Sequence, residues 1–178
     1  MKLMKNLIAG VLFSVLFVFS GCSMKNDFNV VLPENYKPKQ QFDYRLSIVN
    51  VQIANEKEKT GELDIFTTTF PAAFEDSLVK TLHETKIFND ESKNNIDIKV
   101  LVLKKEAPLP SFTVNIYTDV LYIIKNKDGK VLYSKTISAE GIATVGDEFV
   151  GIKRLFLANN RAIQNNIEDL ISEKILMM

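Results

Sequence analysis

The chain has 178 residues, 22 basic and 22 acidic side chains, a formal net charge of zero, one Cys, one His and no Trp. That length is one domain, or one domain with an appendage. Charge balance argues against an electrostatic nucleic-acid binder, the lone Cys against an intramolecular disulfide framework and the lone His against a His-rich metal site, while a hydrophobic fraction of 46% is that of a globular chain.

Lys2 and Lys5 precede an apolar run from Leu7 to Phe19, interrupted at Gly10 and Ser14. The run is shorter than the about 20 residues of a membrane-spanning helix and fits the apolar region of a secretory leader. It ends Phe19-Ser20-Gly21-Cys22. This ending resembles the lipobox of bacterial lipoproteins, in which small residues precede a Cys. The resemblance implies diacylglycerol transfer to the Cys22 sulfur, cleavage before Cys22 and acylation of its new amino group. Residues 1–21 are then a leader, and its loss leaves 157 residues with a formal charge of −2. Ser23, where an Asp would favour inner-membrane retention, implies the outer membrane. Two or three acyl chains at Cys22 anchor firmly where one binds only marginally. Residues 22–41 read as a lipidated tether broken by Pro33 and Pro38; the nineteen residues after Cys22 would span roughly 25 Å if flexible. Phe28 to Leu32 is an apolar patch able to dock as an edge strand. Residues 42–178 read as a single domain.

Within that domain Asp43 to Ala54 predicts a strand, with Tyr44, Leu46, Ile48, Val51 and Ile53 nearly alternating and a phase slip around Val49-Asn50 that marks a bulge. Asn55 to Glu62 is a charged loop, and Leu63 to Phe70 has mixed character. Pro71 suits the first turn of a helix, and Phe70, Phe74, Leu78 and Leu82 form its apolar stripe to about Thr85. Asn89 to Ser92 is a turn. Three strands follow: one on Ile96, Ile98, Val100 and Val102; one from Phe112 to Ile124 with Phe112, Val114 and Ile116 on one face; and one from Val131 to Ala139. Pro108 and Pro110 separate the first two, and Asp128-Gly129 closes a hairpin between the last two. A helix from Gly151 to about Ile175 carries Ile152, Leu155/Phe156, Asn159, Ala162/Ile163, Asn166/Ile167, Leu170/Ile171 and Ile175 on one face. The order β-α-β-β-β-α gives an α+β fold: an antiparallel four-stranded sheet with two helices packed on one face.

Fragments that imitate catalytic motifs fail on context. Ser77-Leu-Val-Lys80, Ser92-Lys-Asn94 and Lys59-Thr-Gly61 match pieces of the penicillin-recognising serine enzymes, but in the wrong order and in too short a chain. Gly146 to Gly151 has P-loop glycine spacing without the Lys-Ser/Thr pair. His83 has no evident nucleophile or orienting acid. Glu56/Glu58 and Asp147/Glu148 read as solubility charges in loops. No catalytic residue, metal ligand or cofactor is expected. Asn159, Asn160, Arg161, Asn165 and Asn166 interrupt an otherwise apolar helix; they either bond locally beside the core or meet a partner or lipid head group.

Together with the lipobox and the element order, the ending Phe149-Val-Gly151-Ile-Lys-Arg154, Ala158, Ala162-Ile163 and Asn166-Ile167 resembles the small outer-membrane lipoproteins of the YajG type. Over residues 43–176 the layout is also similar to auxiliary lipoproteins of lipid-transport ABC systems and to the lipopolysaccharide-assembly lipoprotein LptE. The resemblance implies a non-catalytic, periplasm-facing accessory factor in outer-membrane assembly or lipid transport. Its expected partners are a membrane, through acylated Cys22, and an envelope protein or lipid, with no nucleic acid. The alternatives are a lipid-binding module with a groove between helices and sheet, and an envelope hydrolase using His83.

Overall fold

The computed structural model describes residues 41–64, 70–107 and 111–172. Its elements are β1 (Arg45–Ile53), α1 (Phe70–Thr85), β2 (Asn95–Glu106), β3 (Thr113–Asn126), β4 (Val131–Thr144) and α2 (Gly151–Ser172). The four strands form one sheet in the order β1-β2-β3-β4.

The α+β architecture follows the expectation, with one correction to the wholly antiparallel sheet. The β2–β3 and β3–β4 pairs are antiparallel, whereas β1 runs parallel to β2. The physical reason is the connection between them. A tight hairpin reverses a chain, but a helical crossover returns it to the starting edge, so β1-α1-β2 joins strands of the same direction. The bulge in β1 falls between Leu46 and Ile48, a few residues before the predicted slip. It lets Leu46, Val49 and Val51 share the core side despite their uneven spacing.

The core lies between the helices and one sheet face. From α1 it takes Phe70, Phe74, Leu78 and Leu82; from β2, Ile96, Ile98, Val100 and Val102; from β3, Val120, Tyr122 and Ile124; and from α2, Ile163, Ile167, Leu170 and Ile171. The buried threonines of α1 satisfy themselves: Thr81 Oγ1 donates to Ser77 O at 2.7 Å and Thr85 Oγ1 to Thr81 O at 2.8 Å. At the β3–β4 turn, Gly129 has φ +81°, a conformation natural to glycine. Asn126 Oδ1 accepts from the amides of Asp128 and Lys130.

β4 continues to Thr144, five residues beyond the predicted end at Ala139. The extension contains Gly141, where a Cβ would stand 2.0 Å from Ala158 O and 2.2 Å from Ala162 N. The backbone of α2 therefore lies directly on the backbone of β4. Ala158 and Ala162 are fully buried there with Val114, Ile116, Ala143 and Leu155.

Gly141→Ala is expected to lower stability by about 3 kcal/mol, because backbone on both sides must move to admit one methyl group. Gly146→Ala, whose Cβ would meet Thr144 Oγ1 at 3.5 Å, should change it by less than about 0.5 kcal/mol. Urea unfolding of the two variants makes the comparison.

In the same layer, Tyr122 OH donates to Asn166 Oδ1 at 2.6 Å and Asn166 Nδ2 donates to Ile137 O at 3.0 Å. Both side chains are fully buried, and burial pushes the Tyr122 hydroxyl well above the ordinary tyrosine range. Tyr122→Phe should cost about 1–3 kcal/mol in urea unfolding, since it strands a buried amide oxygen.

Candidate functional site

The asparagine-rich stretch of α2 acts as a set of donors to a sheet edge. β4 has a strand partner on one side only, so part of its main chain needs partners elsewhere. Arg161 Nη1 donates to Ile142 O at 2.6 Å and Asn165 Nδ2 to Glu140 O at 2.7 Å along that edge, while Asn166 donates to Ile137 O inside the buried layer. Of the two readings left open for these residues, local bonding accounts for Arg161, Asn165 and Asn166. At the opposite edge, Glu75 Oε2 of α1 accepts from Val51 N at 3.1 Å.

The imitated motifs do not assemble chemistry. Ser77 is buried, while the Lys80 side chain is half exposed and near Glu84, so they do not face one site. The His83 side chain is largely exposed with Asp90 at 3.9 Å. Glu56 pairs with Lys59, and Glu58 accepts from Asn55. Gly146 to Gly151 is a turn leading into α2: Asp147 accepts from the Thr144 amide and hydroxyl and pairs with Arg161 at 2.9 Å. The Arg161 hydrogen bond, then those from Thr144, hold the Asp147 carboxyl well below the usual range. Among the described residues no group of three His, Cys, Asp or Glu is gathered around a metal-sized space, and no helix is long and apolar enough to cross a membrane. Cys22, the expected lipidation site, lies outside the described residues.

Side chains fill the layer between helices and sheet where a lipid groove was considered, with Phe74, Tyr122, Ile163 and Ile167 all fully buried. A cavity of about 540 Å³ opens instead at the end of the sheet where β2 stops and β3 starts, lined by residues that include Glu62, Asp64, Lys105, Asn115 and Tyr117. Lys105 is 1% exposed, donates to Asp64 Oδ2 at 2.7 Å and lies 5.5 Å from the centre of the Phe70 ring. Burial lowers its pKa against the opposing pull of Asp64. The bulge between Val102 and Lys104 is the cause of this placement, because it shifts the alternation and turns Lys105 to the core side. Alternation alone did not signal a buried lysine.

The loops at this same end depart most from the sequence reading. Phe112 was expected to share a face with Val114 and Ile116. Those two are fully buried, but Phe112 precedes β3 and is 85% exposed. Phe149 is 84% exposed, and Val150 and Ile152 are also exposed, so the start of α2 does not carry Ile152 into the core. Arg154 is buried beneath them. Its Nε and Nη2 donate to Ser111 O, and its Nη1 donates to the carbonyls of Glu148 at 2.7 Å and Phe149 at 3.1 Å.

The sequence matches no family model and no curated protein. Solved structures give matches of differing extent, and the first of these shares the fold. A Xanthomonas campestris protein of the family DUF330 superposes with a TM-score of 0.55 at 15% identity, over 79% of this chain and 88% of its own. A provisionally named lipoprotein of Caulobacter crescentus gives 0.46 at 9% identity, over 70% and 85%. Lipoprotein GNA1162 of Neisseria meningitidis gives 0.35 at 11% identity, over 55% and 81%.

Asp64→Ala should cost about 3 kcal/mol by leaving Lys105 buried without this carboxylate, and Asp64→Leu with Lys105→Met should recover most of it. In the native protein the unfolded chain holds the Lys105 proton more tightly than the folded one. Its contribution therefore makes stability rise with pH in the window just below the usual lysine value of 10.5. Lys105→Met should abolish that rise in urea unfolding measured across the window. The likeness to the Xanthomonas protein, at this identity, is one of fold.

Proposed function

We propose that this chain is a lipid-anchored protein of the bacterial cell envelope, working without catalysis as an accessory factor in outer-membrane assembly or lipid transport. In this reading acylated Cys22 joins it to the outer membrane, the domain faces the periplasm, and its work is contact with an envelope protein. The observation that carries the reading is the separation of the two ends of the domain. The chain enters at Gln41 and Phe42, which bond to the backbone of Lys86 and Ile87 beside the start of β2. The exposed phenylalanines stand at the other end, beyond the last residues of β2. A tether at one pole and an apolar display at the other suit a linker between a membrane and something else.

Cys22→Ala tests the anchor. The variant should keep the urea midpoint of the parent and move from the membrane fraction to the soluble fraction of the envelope. Retention in membranes would overturn the reading.

A further inference from the structure

Phe112 and Phe149 sit on different loops, yet the loops are tied together. Arg154, 6% exposed, donates to Ser111 O on one side and to the Glu148 and Phe149 carbonyls on the other. Phe112 O accepts from Val145 N at 3.0 Å, and Glu148 Oε1 accepts from Val150 N at 2.9 Å. Asp147, braced by Thr144 and Arg161, holds the turn between them. Burying a guanidinium is costly unless its hydrogen bonds are met. Here main-chain carbonyls of both loops meet them, and two phenyl rings are displayed from a fixed base.

Two observations select what covers the rings. The first is distance along the molecule. Gln41 lies beside the start of β2, whose 12 residues place the tip roughly 35–40 Å away. A tip inserted in the anchoring bilayer would require the chain after Cys22 to return past the whole sheet. The second is charge. Loops that enter bilayers are collared by basic residues that attract anionic head groups. Beside these rings Asp147 is paired with Arg161, Glu148 and the exposed Lys153 flank Phe149 and Ile152 in sequence, and Arg154 is buried against carbonyls, so the exposed border carries as many acids as bases. Paired aromatic anchors held at fixed spacing, with a neutral border, suit a preformed apolar pocket in a protein.

We propose that Phe112, Phe149, Val150 and Ile152 form a docking tip for an apolar pocket on a protein partner, held away from the anchoring membrane. This rests on the reading of the chain as a lipid-anchored accessory factor. A photoreactive phenylalanine analogue placed at position 112 or 149 of the full lipidated protein in living cells tests it, with the exposed position 99 on the sheet face away from the helices as the reference. The same discrete protein should be crosslinked from 112 and 149 and not from 99. The double variant Phe112→Ser/Phe149→Ser should stay in the membrane fraction with an unchanged urea midpoint, because both rings are exposed, and recover about tenfold less of that protein. Absence of adducts at the tip, adducts to lipid alone, adducts between two copies, crosslinking from 99 in place of the tip, or undiminished recovery would each overturn the proposal. Failure of the anchor reading shows separately, as Cys22→Ala protein retained in membranes.

Discussion

At Gly141 backbone meets backbone, where α2 rests on β4. The available space admits a hydrogen and not a methyl group. Ala158 and Ala162 complete the contact because larger side chains would lift the helix away. Much else follows from that approach. It brings Asn166 into reach of Tyr122 and the Ile137 carbonyl, aligns Arg161 and Asn165 with the edge of β4, and sets Arg154 beneath the loops at the start of the helix. A small-residue seam thus determines where the polar groups of α2 can act.

Each helix also serves a sheet edge. Glu75 of α1 meets β1, and Arg161 and Asn165 of α2 meet β4. The central strands bury their helix-facing side chains almost completely, and their opposite face is half covered. On that face Leu101, Leu103 and Leu121 gather with Ala54, while Thr60 bonds to Leu103 O and Asp119. Farther along, Ile48 and Ile123 border a shallow depression of about 360 Å³ among polar neighbours. The apolar tip therefore differs from the rest of the surface in combining two highly exposed rings with a cross-braced scaffold.

Local patterns made much of this legible. The four-residue stripe of α1, the β2 alternation and the Asp-Gly turn each reflect neighbours close in sequence, and they led to the correct elements and the α+β class. The parallel β1–β2 pair was less visible, because it depends on where a crossover returns the chain. Glu140-Gly141 looked like the end of a strand, although the glycine is there to admit a helix that comes later. Phe112 looked like a core position by alternation with Val114 and Ile116, but β3 begins one residue after it. Lys105 was missed because a bulge shifts its side without leaving a signature in composition. Asn166 lay on the apolar face of its helix, and its two buried partners sit 44 and 29 residues away.

The chain order gives the edge of β4 a history. All four strands precede α2, so a polypeptide delivered amino-end first has its sheet residues available before the donors that occupy the Glu140 and Ile142 carbonyls. Until α2 docks, that edge is open to a strand from another chain. The last helix thus acts as a closing step against self-association, and its seam on Gly141 decides when a newly delivered chain ceases to be adhesive.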